Sequence, residues 1–250
     1  MILVIDQGNT RCKLALFDEG KMIKVAAFED LDEQTFSKWT ASNDIKQSIY
    51  SSVAQMPDFL LDYCRTKAVS FRTMALRQDA IAIHNLQNLP LHIGEDLLAL
   101  AVYAQLTHKE GYKLIISMGT CITYETILSD GTYGGGSIAP GMSMRAKALK
   151  RYTNQLPEVD MLAYIRQYGD SVFDHSNATE RAIGSGVYIG ITGEVKEQIN
   201  IFLQKYKSAP CHIFLTGGDA AFFFPHLVSS INVVENMVLK GMAALALRLT

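Results

Sequence analysis

The sequence has few cysteines and histidines for its 250 residues, and neither type is arranged for metal binding. The four cysteines are scattered along the chain, without the short spacing that zinc sites use: Cys12, Cys64, Cys121 and Cys211. The six histidines show no paired spacing either. We therefore expect no zinc site, and we expect the cysteines to be reduced packing residues.

Long apolar runs and an excess of charge are also missing. No apolar stretch approaches the roughly 18–20 residues that a membrane-spanning helix needs. Asp6 interrupts the short apolar N-terminus, so we expect no signal peptide. The formal net charge of -2 gives no basic surface for nucleic acid. We expect a cytoplasmic protein whose partner is a small molecule or another protein chain, not nucleic acid or a membrane.

The sequence does contain an internal repeat. The first segment, MILVIDQGNTRCKLALFDEGK, is followed 111 residues later by the similar LIISMGTCITYETILSDGT. Aligned without a gap, Gly8 falls on Gly119, whereas Asp6 falls on Ser117. Each copy runs from an apolar strand through a Gly-polar step into an alternating segment and an acidic-Gly turn, which predicts a hairpin.

The elements that follow each copy indicate a duplicated fold. Strands are predicted at 2–6, 11–17, 22–28, 47–53, 113–118, 121–128, 132–138 and 212–216. Helices are predicted at 33–41, 57–66, 96–106, 142–151, 158–168, 177–206 and from about 234. This order predicts an α/β protein with the duplicated actin-like (ribonuclease H-like) ATPase fold. Its two similar halves, 1–108 and 109–250, are expected to hold a nucleotide in a cleft between them.

The turn of the first copy is suited to phosphate. Gly8 allows a tight turn that leaves backbone N–H groups available, and Asn9 and Thr10 add side-chain donors. The carboxylate of Asp6 can hold Mg²⁺ directly or through water. The alternative is an ordinary hairpin turn. The second copy favours phosphate binding, because it repeats the hydrogen-bond donors of the first. It does not repeat the acid.

Three glycine-containing segments of the second half are candidates for the same ligand. Gly119 and Thr120 form the repeated turn, and Gly217 and Gly218 end a strand where a nucleotide could lie against the backbone. The segment GGGSIAPGM at 134–142 indicates a backbone that bends or approaches another group closely. Plain turns explain the last two segments equally well.

Asp96 is the second carboxylate with a candidate role. One interpretation makes it the N-cap of the helix at 96–106, which stabilises a helix by about 1 kcal/mol. The other makes it a general base that takes the proton of a substrate hydroxyl during phosphoryl transfer. We expect its neighbour Glu95 to be a solvated acid of the first helical turn.

The helix predicted at 177–206 carries a glycine stripe. Gly186, Gly190 and Gly193 share one face, although each glycine destabilises a helix by up to ~1 kcal/mol relative to alanine. Close approach of another backbone explains such a stripe. That backbone could belong to this chain or to a second copy.

Taken together, the motifs resemble the type III pantothenate kinase family. They occur in the family's order and span nearly the whole chain: DQGNT, GED, GTCIT, GGGSIAPGM, LP at 156–157, Thr179 with Ser185-Gly186, and TGGDA. The resemblance implies an acetate- and sugar-kinase-like fold and ATP-dependent phosphorylation of pantothenate to 4′-phosphopantothenate, the first step of coenzyme A biosynthesis. It also implies Mg²⁺, a monovalent cation (K⁺ or NH₄⁺), and a homodimer with the substrate site near the interface.

The resemblance also implies roles for individual residues. It assigns ATP and phosphate contacts to Asp6, Gln7, Gly8, Asn9, Thr10, Arg11, Cys12, Lys13, Gly119, Thr120, Gly217 and Gly218. It assigns substrate contacts to Gly94, Glu95, Asp96, Leu97 and Thr179. Asp96 corresponds to the family's catalytic base, and Asp6 to a residue that reaches Mg²⁺.

Three positions depart from the family's pattern. Leu97 stands where the motif has Arg, and Gln87 stands where a Tyr is usual. Ser117 replaces the Asp that binds the monovalent cation, so cation affinity should fall. Leu97 removes a charge-assisted partner of the substrate carboxylate, which would contribute ~1.5–3 kcal/mol. These departures leave two alternatives open: a kinase of another small hydroxyl compound, and a regulator or scaffold derived from such a kinase.

Overall fold

The chain folds into two compact units, each built on a five-stranded sheet. The computed structural model describes residues 1–8, 10–52, 56–73, 85–174, 176–227 and 230–248. Unit 1 comprises Met1–Lys109, Asp130–Tyr133 and Asn236–Thr250, and unit 2 comprises Glu110–Ser129 and Gly134–Glu235. Among the described residues, no helix has both the length and the apolar character needed to cross a membrane.

The sheet of unit 1 has the strand order β3-β2-β1-β4-β5. Its strands are β1 (Ile2–Gln7), β2 (Cys12–Asp18), β3 (Lys21–Phe28), β4 (Gln47–Ser52) and β5 (Ser70–Thr73). β1 pairs with β2 antiparallel and with β4 parallel. β1 is the central strand of the sheet, and Asp6 lies near its C-terminal end.

Four α-helices of unit 1 lie in the part of the chain that the structure describes. They are α1 (Glu33–Thr40), α2 (Asp58–Thr66), α3 (Glu95–Thr107) and, from the end of the chain, α8 (Met237–Arg248). The almost wholly apolar sequence of α3 is explained by its packing against α8, where Gly241 permits close contact. A Cβ atom at Gly241 would collide with the carbonyl oxygen of Ala99. The last helix therefore packs with unit 1, although the sequence repeat places it in the second copy.

The sheet of unit 2 repeats that topology, with the order β10-β9-β6-β7-β8. Its strands are β6 (Tyr112–Met118), β7 (Cys121–Ile127), β8 (Tyr133–Pro140), β9 (Cys211–Thr216) and β10 (Ile231–Val233). β6 pairs with β7 antiparallel and with β9 parallel, as β1 does with β2 and β4. The predicted fold class, a duplicated actin-like α/β fold, is confirmed.

The helices of unit 2 include the longest one of the described chain. They are α4 (Met142–Tyr152), α5 (Met161–Tyr168), α6 (Thr179–Lys205) and the short α7 (Ala220–Phe223). Buried apolar residues along α6 pack on the sheet, among them Val187, Ile191 and Val195.

The two hairpins are not equivalent without a gap, and that part of the repeat alignment is wrong. Asp6 pairs with Lys13, seven residues later, whereas Ser117 pairs with Thr123, six residues later. The second turn is therefore one residue shorter than the first. The equivalence of Asp6 with Ser117 on the first strand of each hairpin is unaffected.

Candidate functional site

The first candidate feature is the turn that joins β1 to β2. The N–H of Gly8 donates to the carbonyl oxygen of Arg11 at 3.1 Å and closes this turn. Gln7 is fixed just before it, since the Tyr50 hydroxyl donates to Gln7 Oε1 at 2.6 Å. Gly8, Thr10 and Arg11 are exposed. The predicted phosphate-binding Asn9 lies outside the described residues.

Asp6 has an unusual electrostatic environment at the end of β1. The side chain is half-buried, and loss of hydration raises its pKa from an ordinary 3.8 to about 6. Lys13, its partner on β2, acts in the opposite direction, whereas the negative charges of Asp96 and Glu95 contribute to the rise. The structure thus brings Asp6, Lys13, Glu95 and Asp96 within electrostatic reach of one another. A cation placed beside these carboxylates would relieve their repulsion.

The N-terminus of α3 corrects two sequence-based interpretations. The N-cap residue is Gly94, and Asp96 is not the cap but the second helical residue. Asp96 is exposed, and its Oδ1 accepts from the N–H of Leu97 at 2.9 Å. Glu95 is not simply solvated. It is half-buried, and its Oε2 accepts from the N–H of Ser52 at 3.1 Å, which ties α3 to the end of β4.

Gly94 leaves the space in which the Asp96 carboxylate lies. A Cβ atom at Gly94 would be 2.7 Å from Asp96 Oδ1, closer than real contacts allow. We expect Gly94→Ala to displace the carboxylate and to lower kcat of the phosphoryl-transfer reaction proposed below by about tenfold, because small misplacements of a reacting group are costly. Steady-state kinetics measures the change in kcat, and thermal melting measures any change in stability.

Asp160→Ala is the matched control for the Gly94 variant. Asp160 caps α5, and its Oδ1 accepts from the N–H groups of Leu162 at 2.9 Å and Ala163 at 3.1 Å. Its loss should destabilise the fold by about 1 kcal/mol and leave kcat unchanged. If Gly94→Ala retains a normal kcat, the position of the Asp96 carboxylate is not critical.

The second candidate turn, at Gly119 and Thr120, rests on the Pro140-Gly141 segment. Gly119 N–H donates to the carbonyl oxygen of Cys121 at 3.0 Å, and Gly141 N–H donates to that of Thr120 at 3.0 Å. A Cβ atom at Gly141 would collide with the Gly119 carbonyl oxygen and lie 2.5 Å from that of Thr120. The glycine after Pro140 is therefore explained by close packing against this turn.

Gly217 lies beside the same end of β6. Its φ of +101° is in the region that favours glycine, and a Cβ atom would collide with the Met118 carbonyl oxygen. That oxygen accepts from the N–H of Asp219 at 3.1 Å. Among the described residues, no atom beyond its chain neighbours lies within 4 Å of where a Gly218 side chain would begin. Gly217 is required by packing, whereas Gly218 leaves open backbone against which a flat group could lie.

A row of hydroxyl groups crosses three strands of unit 2 at Ser117. Ser117 on β6 pairs with Thr123 on β7 and with Thr216 on β9, so the three side chains share one face. Thr123 Oγ1 is buried and has no hydrogen-bond partner in the part of the chain that the structure describes. No local pattern in the sequence distinguishes Thr216. Thr216 joins this row only because β9 pairs with β6, which brings it beside Ser117, 99 residues earlier in the sequence.

The equivalent row in unit 1 is charged. Asp6 pairs with Lys13 on β2 and with Ser51 on β4. The two sheets thus place two oppositely charged residues on neighbouring strands at one position of the repeat and neutral hydroxyl groups at the other. Within the described ranges, no group of three or more His, Cys, Asp and Glu side chains is arranged to hold a metal ion.

The structure also describes three other positions singled out from the sequence: Thr179, Gln87 and Leu97. Thr179 is the first residue of α6 and is exposed. Gln87 is held through its backbone, because its N–H donates to the Gly131 carbonyl oxygen at 3.0 Å and its carbonyl oxygen accepts from Tyr133 N–H at 2.8 Å. Leu97 is half-buried in the first turn of α3.

Comparison with known proteins gives a consistent result. The family model for type III pantothenate kinase matches residues 2–201. A type III pantothenate kinase of Phocaeicola vulgatus is 33% identical over 243 residues, covering 97% of this chain and 96% of the relative. One of Porphyromonas gingivalis (strain W83) is 32% identical over 244 residues, covering 96% and 95%.

Solved structures share the fold at low sequence identity. A Campylobacter jejuni protein described as a transcriptional activator of the Baf family has a TM-score of 0.57 at 16% identity, with 98% of each chain covered. At these identities the likeness shows the fold alone.

Proposed function

The chain belongs to the type III pantothenate kinase family, and we propose that Asp96 is the general base with which it phosphorylates pantothenate. Members of this family are phosphotransferases that act on pantothenate in coenzyme A biosynthesis, and kinases use ATP and a divalent metal ion. The observation that carries the proposal is the placement of Asp96. It is an exposed carboxylate at the start of α3, it does not cap the helix, and it is within electrostatic reach of Asp6.

The proposal assigns a separate role to each candidate residue. Asp96 accepts the proton of the pantothenate hydroxyl as that oxygen attacks the terminal phosphorus of ATP. The bond between that phosphorus and the bridging oxygen breaks, and ADP leaves. The turns that contain Gly8 and Gly119 are the proposed contacts of phosphate oxygens, although the N–H groups of these two glycines close their own turns. The other proposed contacts in and beside these turns are Gln7, Thr10, Arg11, Cys12, Lys13 and Thr120, with Asn9 as a further donor.

Asp6 is the proposed Mg²⁺ residue. Mg²⁺ is commonly bound by one or two carboxylates together with phosphate oxygens and waters, and it neutralises charge that develops on the phosphates. The raised pKa of Asp6 supports its assignment to Mg²⁺. A carboxylate held in a poorly hydrated site near Glu95 and Asp96 favours a bound cation. Lys13 adds a fixed positive charge on the adjacent strand.

The proposed substrate contacts are Gly94, Glu95, Asp96, Leu97 and Thr179. The surroundings of Glu95 and the chemistry of Leu97 limit what these two residues can contribute. Glu95 is engaged with Ser52, so we assign it to holding the N-terminus of α3 as well as lining the site. Leu97 offers only apolar contact, so the carboxylate of pantothenate must find donors elsewhere. Gly217 and Gly218 are the proposed contacts of the nucleotide base and ribose.

An ADP-release assay with ATP, Mg²⁺ and pantothenate tests the proposed function. Turnover that depends on pantothenate supports it. Turnover with another small alcohol alone would favour a kinase of different specificity. No turnover with any alcohol would favour a regulator or scaffold. Each reaction should be run with and without K⁺ or NH₄⁺.

The presence of Ser117 in place of an acid leads to a prediction about the affinity for the monovalent cation. The row formed by Ser117, Thr123 and Thr216 offers neutral oxygens, which attract a cation less than a carboxylate does. If the rate depends on K⁺ or NH₄⁺, we expect Ser117→Asp to lower the half-maximal cation concentration by about tenfold. Ser117→Ala should raise it. An unchanged or higher requirement in the Asp variant would place the cation elsewhere.

We include a homodimer and a cytosolic location in the proposal. Gly186, Gly190 and Gly193 of α6 are exposed, and no described backbone of the chain comes within 4 Å of where their side chains would begin. Backbone packing among the described residues therefore does not account for the stripe, and the nearest other group is Arg145 Nη1, 3.9 Å from where a Gly190 side chain would begin. This supports contact of the stripe with a second copy. Sedimentation velocity of the wild type and of Gly193→Arg tests this, since Gly193 is exposed and its Cβ would meet no described atom within 4 Å. The wild type should sediment as a dimer and the variant as a monomer, whereas a monomeric wild type would refute the assignment.

A further inference from the structure

Arg145, in the first turn of α4, joins two parts of unit 2. Its Nε donates to the carbonyl oxygen of Pro140 at 2.8 Å, and its Nη2 donates to Glu194 Oε2 at 2.6 Å. The Arg145 and Glu194 side chains are only 22% and 29% exposed, so this ion pair is poorly hydrated. A planar guanidinium can serve two acceptors in fixed directions, which a lysine ammonium cannot reproduce.

Glu194 is itself held from the opposite side. The hydroxyl of Tyr124, a buried residue of β7, donates to Glu194 Oε1 at 2.7 Å. Burial and the adjacent carboxylate raise the pKa of Tyr124, so the hydroxyl remains a donor over the whole physiological range. Glu194, on α6, thus holds Arg145 through one carboxylate oxygen, and its contact with Tyr124 is a separate link to the sheet that ends in the Gly119–Thr120 turn.

The Pro140–Gly141 segment transmits that anchoring to the turn. Gly141 N–H donates to the Thr120 carbonyl oxygen, and the Gly141 Cα is packed against the Gly119 carbonyl group. Any displacement of Pro140 therefore moves the support on which the turn rests. The Arg145 contact to the Pro140 carbonyl oxygen opposes such a displacement.

We propose that Arg145 is a positioning residue for the Gly119–Thr120 turn, acting through Pro140 and Gly141 and held in place by Glu194. The inference rests on the proposed function, because it takes this turn to contact ATP phosphate. Arg145 itself is assigned no contact with either substrate. Its loss should therefore affect ATP binding and leave pantothenate binding unchanged.

Arg145→Lys tests the inference with two readouts. Amide hydrogen exchange of residues 119–121 in the nucleotide-free protein should accelerate, because the turn loses its support. Titration with Mg²⁺–ATP should give a Kd about tenfold higher, which corresponds to 1.4 kcal/mol. The KM for pantothenate should stay within about twofold. Glu194→Gln should show the same changes to a smaller degree, and it replaces the lysine variant if that protein does not fold.

Tyr124→Phe is the matched control. It removes one buried hydrogen bond from Glu194 and leaves both side-chain contacts of Arg145 intact. It should lower the melting temperature about as much as Arg145→Lys, with ATP affinity nearly unchanged. If Arg145→Lys loses only stability, and its exchange at 119–121 and its Kd match those of the control, the inference is overturned.

Thr120→Ala distinguishes this inference from the proposed function. If it weakens ATP binding while Arg145→Lys does not, only the positioning role of Arg145 is refuted. If Thr120→Ala and Arg145→Lys both bind ATP normally, the assignment of this turn to ATP is refuted, and the inference fails with it. Weakened binding in both, with faster exchange at the turn in the lysine variant, supports both.

Discussion

Replacing Asp96 by Asn should lower kcat for pantothenate phosphorylation by about 10²–10⁴-fold, the usual contribution of a general base. The melting temperature should be almost unchanged. Asn has the same shape, and its side-chain oxygen can still accept from Leu97 N–H, which is the contact that Asp96 makes. Asn does not accept a proton at neutral pH, so the variant removes the chemistry and keeps the geometry.

Asp32→Asn is the matched control for this experiment. Asp32 also stands at the start of a helix, α1, where its Oδ1 accepts from Thr35 N–H at 2.7 Å as a true N-cap. Asn is an equally good cap, so both rate and stability should stay near those of the wild type. If Asp96→Asn keeps most of the wild-type rate, Asp96 is not the base.

Replacing Asp6 by Asn should have the second large effect, and activity and stability should change in opposite directions. We expect kcat/KM for ATP to fall by about 10²-fold or more, since a charged contact to the metal and phosphates is lost. We expect the nucleotide-free variant to melt at a higher temperature than the wild type at pH 7–8. The reason is that the charge of Asp6 is poorly hydrated and lies near Glu95 and Asp96.

The pH dependence of unfolding provides the stability test for Asp6. The folded-state pKa of about 6 exceeds the ordinary value of 3.8, so the folded protein binds the proton more tightly than the unfolded chain. This stability is fully present below about pH 4 and is lost as the pH rises through about 6. Urea titrations from pH 4 to 8, without nucleotide or Mg²⁺, should show this loss in the wild type and not in Asp6→Asn. A less stable variant at pH 7–8 would mean that the attraction between Asp6 and Lys13 stabilises the fold more than burial of the Asp6 charge destabilises it.

The sequence predicted the long, strongly patterned elements of the fold well. The hairpins of both copies follow apolar alternation broken by glycine turns, and the long helix observed at Thr179–Lys205 lies within the predicted 177–206. The fifth strand of each sheet, β5 and β10, was missed. These strands have four and three residues, which is too short for a pattern, and they exist because they pair with β4 and β9.

Helix starts were less predictable because capping signals compete. Asp is a stronger N-cap signal than Gly, so the sequence favoured Asp96 as the start of α3, yet the chain uses Gly94. The predicted helix at 158–168 begins at Met161, because Asp160 accepts hydrogen bonds from the first turn. In the first case the structure removes the capping interpretation of Asp96 and leaves the general-base interpretation as the proposal.

The candidate site was predictable in its turns and not in its supports. Asp6, Gly119 and Gly217 stand in short motifs with a physical meaning that can be read locally. Thr216 and Arg145 act through pairing and packing with residues distant in sequence, so no local pattern distinguishes them. The length difference between the two hairpin turns likewise appears only from strand register.

Product identification by ³¹P NMR is the measurement that tests the central claim most directly. The purified wild-type protein is incubated with ATP, Mg²⁺ and pantothenate, and the spectrum is recorded over time. We predict a growing phosphomonoester signal, coupled to the CH₂ protons of the 4′ carbon, that matches the formation of ADP in amount. The same incubation with Asp96→Asn should leave the ATP signals essentially unchanged. Formation of inorganic phosphate in place of the phosphomonoester, or no loss of ATP with the wild type, would contradict the assignment of this chain as a pantothenate kinase.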